Sequence, residues 1–221
     1  MCVVNINVLN VWFRYTKQQY ILKNAIANFT SGGIYGVIGE IGSGKTTLMY
    51  LLAGLLEPEK GRITINSIPA HKYPRDNIGF VFQNPDDQIF NLYVKDEIGY
   101  TVKQINEEKF EEAILDVAEK LNIVQLLDRK TRHLSFGQKK LVTIASALVH
   151  DPRIVLMDEP FANLSRKYVE IVKDLIRDLS AEGKLIILTS HDLNLISNVI
   201  NDCYEIVGGR LQKTIRERTI F

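Results

Sequence analysis

The stretch Gly39-Glu40-Ile41-Gly42-Ser43-Gly44-Lys45-Thr46 decides how the rest of the chain is read. It satisfies G-x-x-x-x-G-K-[ST] in the context that this pattern needs. The short apolar run Ile34 to Ile38 precedes it, and the helix-forming stretch Lys45 to Leu56, ended near Glu57-Pro58, follows. Glycines let successive backbone amides turn inward as a concave nest for an anion, and the positive end of the following helix adds its field at the same point. In such a cradle Lys45 supplies a point charge to β- and γ-phosphates and the Thr46 hydroxyl is a ligand for Mg²⁺. Gly39, Gly42, Ser43, Gly44 and Thr47 complete the candidate phosphate contacts. The plainer alternative is a glycine-rich turn with a surface lysine; the full pattern between a strand and a helix favours phosphate binding.

Working outward, Val3 to Tyr15 and Tyr20 to Phe29 are rich in β-branched and aromatic residues with partial alternation. A polar turn at Thr16 to Gln19 separates them, so they read as two antiparallel strands. Gly61 to Asn66 is a further short strand, and Ile78 to Phe82 a central one. From Asn84 to about His150 the pattern turns helical. Asn106 can cap a helix striped at Phe110, Ile114, Val117 and Leu121, and a second helix covers about Ser135 to Val149. Ile154 to Met157 is a fully apolar strand ending in Asp158-Glu159-Pro160, and the helix Arg166 to Leu179 has its stripe at Val169, Val172, Ile176 and Leu179. Leu185 to Leu188 is another buried strand, followed by a short helix after Asp192 and a hairpin turning at Gly208-Gly209. Buried strands alternating with helices indicate a parallel sheet covered on both faces, with a helical block inserted between two of its strands.

Composition bounds the functional classes. The 221 residues are 46% hydrophobic and 24% charged, which excludes a disordered or collagen-like chain. Lys plus Arg is 27 against 26 Asp plus Glu, a formal charge of +1, so there is no basic excess to neutralise a phosphate backbone and no nucleic-acid partner is expected. Cys2 and Cys203 stand at opposite ends of the chain; a disulfide framework is not expected, and a reducing compartment fits. No run approaches the roughly 20 apolar residues that cross a bilayer. Met1 to Phe13 is uncharged but interrupted by Asn5, Asn7 and Asn10, and it lacks a basic start and a small-residue cleavage site, so it does not read as a signal peptide. A role at a membrane would be exercised from the water side.

Two further groups carry chemistry. Asp158 ends an apolar strand, where ligands of doubly wound sheets collect, and is the candidate second anchor for Mg²⁺. Glu159 beside it is suited to polarise an attacking water, the alternative being a solvated carboxylate at a strand end. Ser135 and Gln138 form an S-x-x-Q capping box, which by itself means a well-capped helix. With the small Gly137, the same amide-rich helix start is also a phosphate contact.

Taken in order, these motifs resemble the nucleotide-binding subunit of ATP-binding cassette transporters over nearly the whole chain. Gly39 to Thr46 matches the family's Walker A motif, Gln83 its Q-loop, Leu134-Ser135-Phe136-Gly137-Gln138 the signature usually seen as L-S-G-G-Q, Ile154 to Glu159 Walker B, and His191 the switch histidine. Tyr15 falls where the family stacks an aromatic ring on adenine, although a plain sheet aromatic would look the same. The segment Phe82-Gln83-Asn84-Pro85-Asp86-Asp87-Gln88-Ile89-Phe90 looks most like the energy-coupling-factor and cobalt/nickel importer branch.

The resemblance implies an α/β P-loop fold with a mainly parallel core sheet, an N-terminal antiparallel β subdomain and an inserted helical subdomain. Residues 1–83 and 151–221 would form the catalytic core and 84–150 the signature subdomain of a single ATPase domain. It implies ATP and Mg²⁺ as ligands and a head-to-tail dimer, with each ATP held between one chain's Walker motifs and the other's signature helix. Gln83 would touch the metal or the attacking water while the Gln83–Phe90 region meets membrane-embedded subunits, and His191 would hold the γ-phosphate. The protein would then lie peripherally on the cytoplasmic face of the membrane, powering uptake of vitamins or transition-metal ions by ATP hydrolysis. Plainer readings make Gln83 a polar strand-end residue and His191 a helix-start residue.

The chain also departs from the family. Where a Leu-Asp usually follows Walker B, Phe161-Ala162-Asn163-Leu164-Ser165 stands; Ser165 can cap the next helix but brings no carboxylate to pass between ATP sites. Leu141 stands where Arg is frequent, and the sequence ends at Phe221, before the C-terminal dimerisation segment of many energy-coupling-factor ATPases. These departures leave homodimer and heterodimer both open. Competing classes are a repair ATPase head, which needs a far longer heptad arm than the insertion after Gln83 offers; a translation-type cassette, which carries two copies per chain; and a nucleotide-binding partner of low turnover.

Overall fold

Within residues 3–105 and 110–214, which a computed structural model of the chain describes, the strands divide into two sheets. The first comprises β1 (Asn5–Phe13), β2 (Leu22–Thr30), β4 (Lys60–Ile65) and β5 (Ile68–Pro69), antiparallel throughout in the order β2-β1-β4-β5. The second comprises β3 (Ile34–Ile38), β6 (Ile78–Val81), β7 (Ile154–Met157), β8 (Leu185–Ser190), β9 (Asp202–Val207) and β10 (Arg210–Thr214). Its order is β10-β9-β3-β8-β7-β6, parallel except for the terminal β9–β10 hairpin.

The central strands are uninterrupted apolar runs because both of their faces are covered. Side chains alternate across a strand. Ile154 and Leu156 of β7, with Leu185 and Ile187 of β8, enter one core together with α1 (Lys45–Leu52) and the antiparallel sheet. Val155 and Met157, with Ile186 and Leu188, enter the other, against α4 (Phe136–Leu148) and α5 (Arg166–Ala181). At about 1.5–3 kcal/mol for each fully buried aliphatic side chain, strands of four to six residues are stabilised from both sides.

The helical block lies in the crossover from β6 to its parallel neighbour β7. It contains α2 (Val94–Ile105), α3 (Phe110–Lys120) and α4. Sequence patterning did not separate α2 from the surrounding block, although Val94, Ile98 and Val102 form a buried stripe at four-residue steps. The stripe is one residue wide and broken by Gly99, whose missing side chain makes room for Phe110 and Ile114 of α3. The cap expected at Asn106 lies outside the described residues.

Several boundaries differ from the sequence reading for identifiable reasons. Helix α1 stops at Leu52 instead of Leu56 because Gly54 adopts φ +65 and closes the last turn, donating its N–H to the Leu51 carbonyl. Strand β1 ends at Phe13 and β2 begins at Leu22, which leaves Tyr15 and Tyr20 in the connecting loop. The broken alternation of β1 and β2 marks a bulge: Asn10 and Asn24 take left-handed backbone angles and join through an Nδ2–Oδ1 bond of 2.9 Å. Ser165 holds the N-cap backbone conformation of α5, but its hydroxyl makes no capping bond; the exposed residue leaves that turn without a side-chain cap. The short helix expected after Asp192 is α6 (Leu193–Ile196), and Asp192 caps it by accepting from Asn194 N–H at 2.9 Å. Cys203 is buried in β9, and Cys2 lies outside the described residues. Among the described residues no helix is long and apolar enough to cross a membrane.

Candidate active site

The glycine loop leaves the C-terminal end of β3 and delivers the chain into α1. Gly42 and Gly44 sit at φ +80 and +108, where a side chain would strain the backbone, and Gly44 is the N-cap of α1 with no side-chain cap. The first-turn amides of α1 therefore keep their capacity for an anion. Lys45 is buried and folds back over the loop, its Nζ donating to the Gly39 carbonyl at 2.8 Å and the Glu40 carbonyl at 3.1 Å. Inside the loop the buried Ser43 Oγ has no hydrogen-bond partner. A buried hydroxyl left unbonded costs about 1–3 kcal/mol. The orphaned hydroxyl, the uncapped helix start and the enclosed ammonium together fit a triphosphate.

The second wall comes from the ends of β7 and β8. Thr46 Oγ1 donates to Asp158 Oδ2 at 2.6 Å, and Thr189 Oγ1 donates to Asp158 Oδ1 at 2.6 Å. Two hydroxyls thus satisfy a carboxylate that is only 1% exposed, without which its burial would be prohibitive. The Thr46–Asp158 pair is a hard oxygen donor set of the kind that Mg²⁺ takes. Glu159 follows at φ +47, an angle that costs a non-glycine residue about 1–3 kcal/mol and persists where the surroundings enforce it. Its N–H donates to Thr189 Oγ1 at 2.9 Å, and its buried carboxylate lies between Lys45 Nζ at 3.7 Å and His191 Nδ1 at 3.0 Å. A positive charge on one side and an imidazole on the other fix the direction in which this carboxylate can work.

A cleft of about 700 Å³ brings these groups together. Gly42, Gly44, Lys45, Thr46, Thr47, Gln83, Glu159 and His191 all line it. Tyr15 stands apart in an adjoining cleft shared with Glu40 to Ser43. The residue is 58% exposed, its hydroxyl lies 3.4 Å from Thr47 Oγ1, and its ring packs edge-on against Phe13 with centroids 4.9 Å apart. An exposed aromatic beside the glycine loop offers a surface for a flat ring.

Ser135, Gly137 and Gln138 do not line the cleft of their own chain. Ser135 Oγ accepts from Gln138 N–H at 3.3 Å and Gln138 Oε1 accepts from Ser135 N–H at 3.0 Å, which completes the capping box at the start of α4. Ser135 and Phe136 are exposed, so this helix start faces outward. Gly137 has a structural role too: a Cβ there would lie 3.0 Å from the Tyr168 ring.

Two residues of the site escaped the sequence reading. Thr189 clamps Asp158 and Glu159 but sits within a run of buried apolar residues, where a β-branched hydroxyl passes for a strand former. Lys140 is fully buried in α4, and its Nζ donates to the carbonyls of Phe82 and Gln83, each at 2.8 Å, and of Asp158 at 3.3 Å. Burial pulls its ammonium down to about 8, opposed by the attraction of Asp158 and Glu159. The available signal was a lysine on the buried stripe Lys140, Thr143, Ile144, Ala147, where α4 otherwise carries uncharged side chains.

Residues 22–162 match the family model described as ABC transporter. The chain is similar to a putative ABC transporter ATP-binding protein of Pyrococcus furiosus, 35% identical across 84% of this chain and 71% of that protein. It is likewise similar to an energy-coupling factor transporter ATP-binding protein of Thermotoga maritima, 37% identical across 89% of this chain and 76% of that one. Among solved structures, cbiO1 from Clostridium perfringens, part of the ABC transporter complex cbiONQ, superimposes with a TM-score of 0.82 at 30% identity, covering 94% of this chain and 86% of its own. A dimeric bacterial ABC transporter cassette superimposes with a TM-score of 0.87 at 26% identity, over 97% of this chain and all of that one, 100%.

Proposed function

The chain belongs to the ABC transporter family, as an ATP-binding subunit, and on that premise we propose that it hydrolyses ATP to energise uptake of a vitamin or a transition-metal ion. Its similarity to the Thermotoga energy-coupling factor protein and to cbiO1 supports the importer class. In this reading the chain is peripheral, on the cytoplasmic face of a membrane, with separate membrane-embedded subunits engaged through Gln83–Phe90.

The observation that carries the proposal is the convergence of Lys45, the Thr46–Asp158 pair and the Glu159–His191 pair on one cleft. Lys45 exchanges its loop carbonyls for phosphate oxygens, and the loop amides with Ser43 hold the remaining charge. Thr46, with Asp158 and Gln83 behind it, would hold Mg²⁺, which neutralises charge on the β- and γ-phosphates. Glu159 takes the developing proton of the attacking water, and His191 keeps that carboxylate aimed while reaching the γ-phosphate. Gln83 orients the water from the opposite wall. Tyr15 stacks on adenine. The missing fourth wall is supplied by a mate, whose Ser135, Gly137 and Gln138 close over the triphosphate and exclude solvent. The outward-facing start of α4 supports this pairing. Ser165, which brings no carboxylate to the junction, favours a second, different ATPase as that mate.

Replacing Glu159 by Gln tests the scheme. Hydrolysis is expected to fall by about 10²–10⁴-fold, the range for loss of a general base. MgATP binding should persist and an ATP-bound dimer accumulate on size exclusion. Hydrolysis by Glu159→Gln at the unmutated rate would remove Glu159 from its assigned role.

A further inference from the structure

The loop that carries Gln83 is held from outside itself. Gln88 accepts from Phe82 N–H at 3.1 Å and donates to the carbonyls of Phe80 and Thr143, both at 3.3 Å. Asp86 pairs with Lys139 at 2.6 Å, and the buried Glu97 accepts from the N–H groups of Phe90 and Asn91 at 3.1 and 2.8 Å. Thr143 and Lys139 belong to α4, so the first two turns of the helix capped by Ser135 are stapled to the loop that ends at Phe90.

Lys140 is the deepest of these staples and the one that reaches the catalytic strands. An ammonium has three N–H donors, and the three acceptors of Lys140 lie on two separate segments: the consecutive Phe82 and Gln83, where β6 runs into the loop, and Asp158 at the end of β7. No carboxylate oxygen lies within ion-pair distance of its Nζ among the described contacts. Burying a cation with no carboxylate partner costs several kcal/mol, and three main-chain carbonyls offset part of that cost here. What distinguishes this lysine is the direction of its three bonds, which tie the main chain at Gln83 to the end of β7.

We propose that Lys140 is a positioning residue that fixes the Gln83 main chain against the end of β7, so that the Gln83 side chain enters the cleft and the loop moves as one body with α4. The inference rests on the ATPase reading given above. It makes Lys140 act through Gln83, and not through the affinity of the cradle for nucleotide.

A double-mutant cycle tests it. Single-turnover hydrolysis of MgATP by the full chain at high protein concentration is measured for wild type, Lys140→Met, Gln83→Ala and the double variant, alongside MgATP affinity and thermal midpoint. Lys140→Met is expected to slow hydrolysis about tenfold with an MgATP Kd within about twofold of wild type, and the double variant to be no more than about twofold slower than Gln83→Ala. Multiplicative losses in the double variant, an unchanged rate for Lys140→Met, or a Kd that weakens as much as the rate falls would each overturn the proposal. Where Lys140→Met melts well below wild type, Lys140→Gln takes its place in the same cycle, because a neutral amide keeps part of the bonding. A wild-type chain that neither binds nor hydrolyses MgATP overturns the ATPase reading and this inference with it. Wild-type hydrolysis with a multiplicative cycle overturns the inference alone.

Discussion

At the scale of single residues, the site is a set of charges placed where each needs the next. Lys45 is enclosed by two loop carbonyls and the nearby Glu159 carboxylate, so Lys45→Ala removes the positive charge of the cradle and leaves a buried glutamate facing an empty space. Its expected outcome is loss of MgATP binding, seen as absence of heat in a titration that wild type gives. His150 carries a pH dependence of the opposite chemical kind. Burial lowers its pKa, a bond with the Ile78 main chain only partly opposes this, and its Nδ1 is buried without a partner. The unfolded imidazole takes a proton near 6.5 and the folded one only at lower pH, so the stability is complete above that value and declines as pH falls through it. The thermal midpoint of wild type should therefore drop between about pH 7 and 5.5 by more than that of His150→Leu. The motif residues were legible because their spacing is local. Lys140 and Thr189 were not, because their partners lie 58 and 31 residues away, and only the fold brings them into range.

At the scale of elements, what the sequence conveyed was period, and what it withheld was contact. Four-residue β7 and the apolar start of β8 announce burial on both faces, and the observed register confirms a parallel pair. The end of α1 was misplaced by four residues because Gly54 reads as a mild helix weakener until the approach of Ala70 shows why no side chain fits. Helix α2 was overlooked because half of its identity is the surface it presents to α3. Gly79 of β6 tests how closely elements approach: a Cβ there would overlap the Ala147 carbonyl of α4, which is backbone and cannot rotate away. Gly79→Ala should lower stability by about 1–3 kcal/mol or more, read from the urea midpoint at unchanged m-value.

At the scale of the whole molecule, two cores share one sheet. The inserted block was visible in the sequence as a change of pattern after Gln83, and its helix start at Ser135 and Phe136 is exposed and faces outward. That face does not line its own cleft, and in the proposed function it closes the cleft of a mate. Ser165 precedes α5 directly after Asn163 and Leu164, which line the cleft, and Ser165→Asp is expected to change the Hill coefficient of MgATP hydrolysis in the assembled complex; an unaltered coefficient would make the serine a neutral replacement. The sheet order has a consequence for how such a chain comes into being. Strand β3, which launches the phosphate cradle, is flanked by β8 and β9. Its neighbours are thus synthesised only after the entire helical block. The nucleotide loop emerges early yet has no rigid base until the chain beyond the helical block is made, so the nascent chain acquires the strand partners of its oldest motif only after the whole insertion has been synthesised.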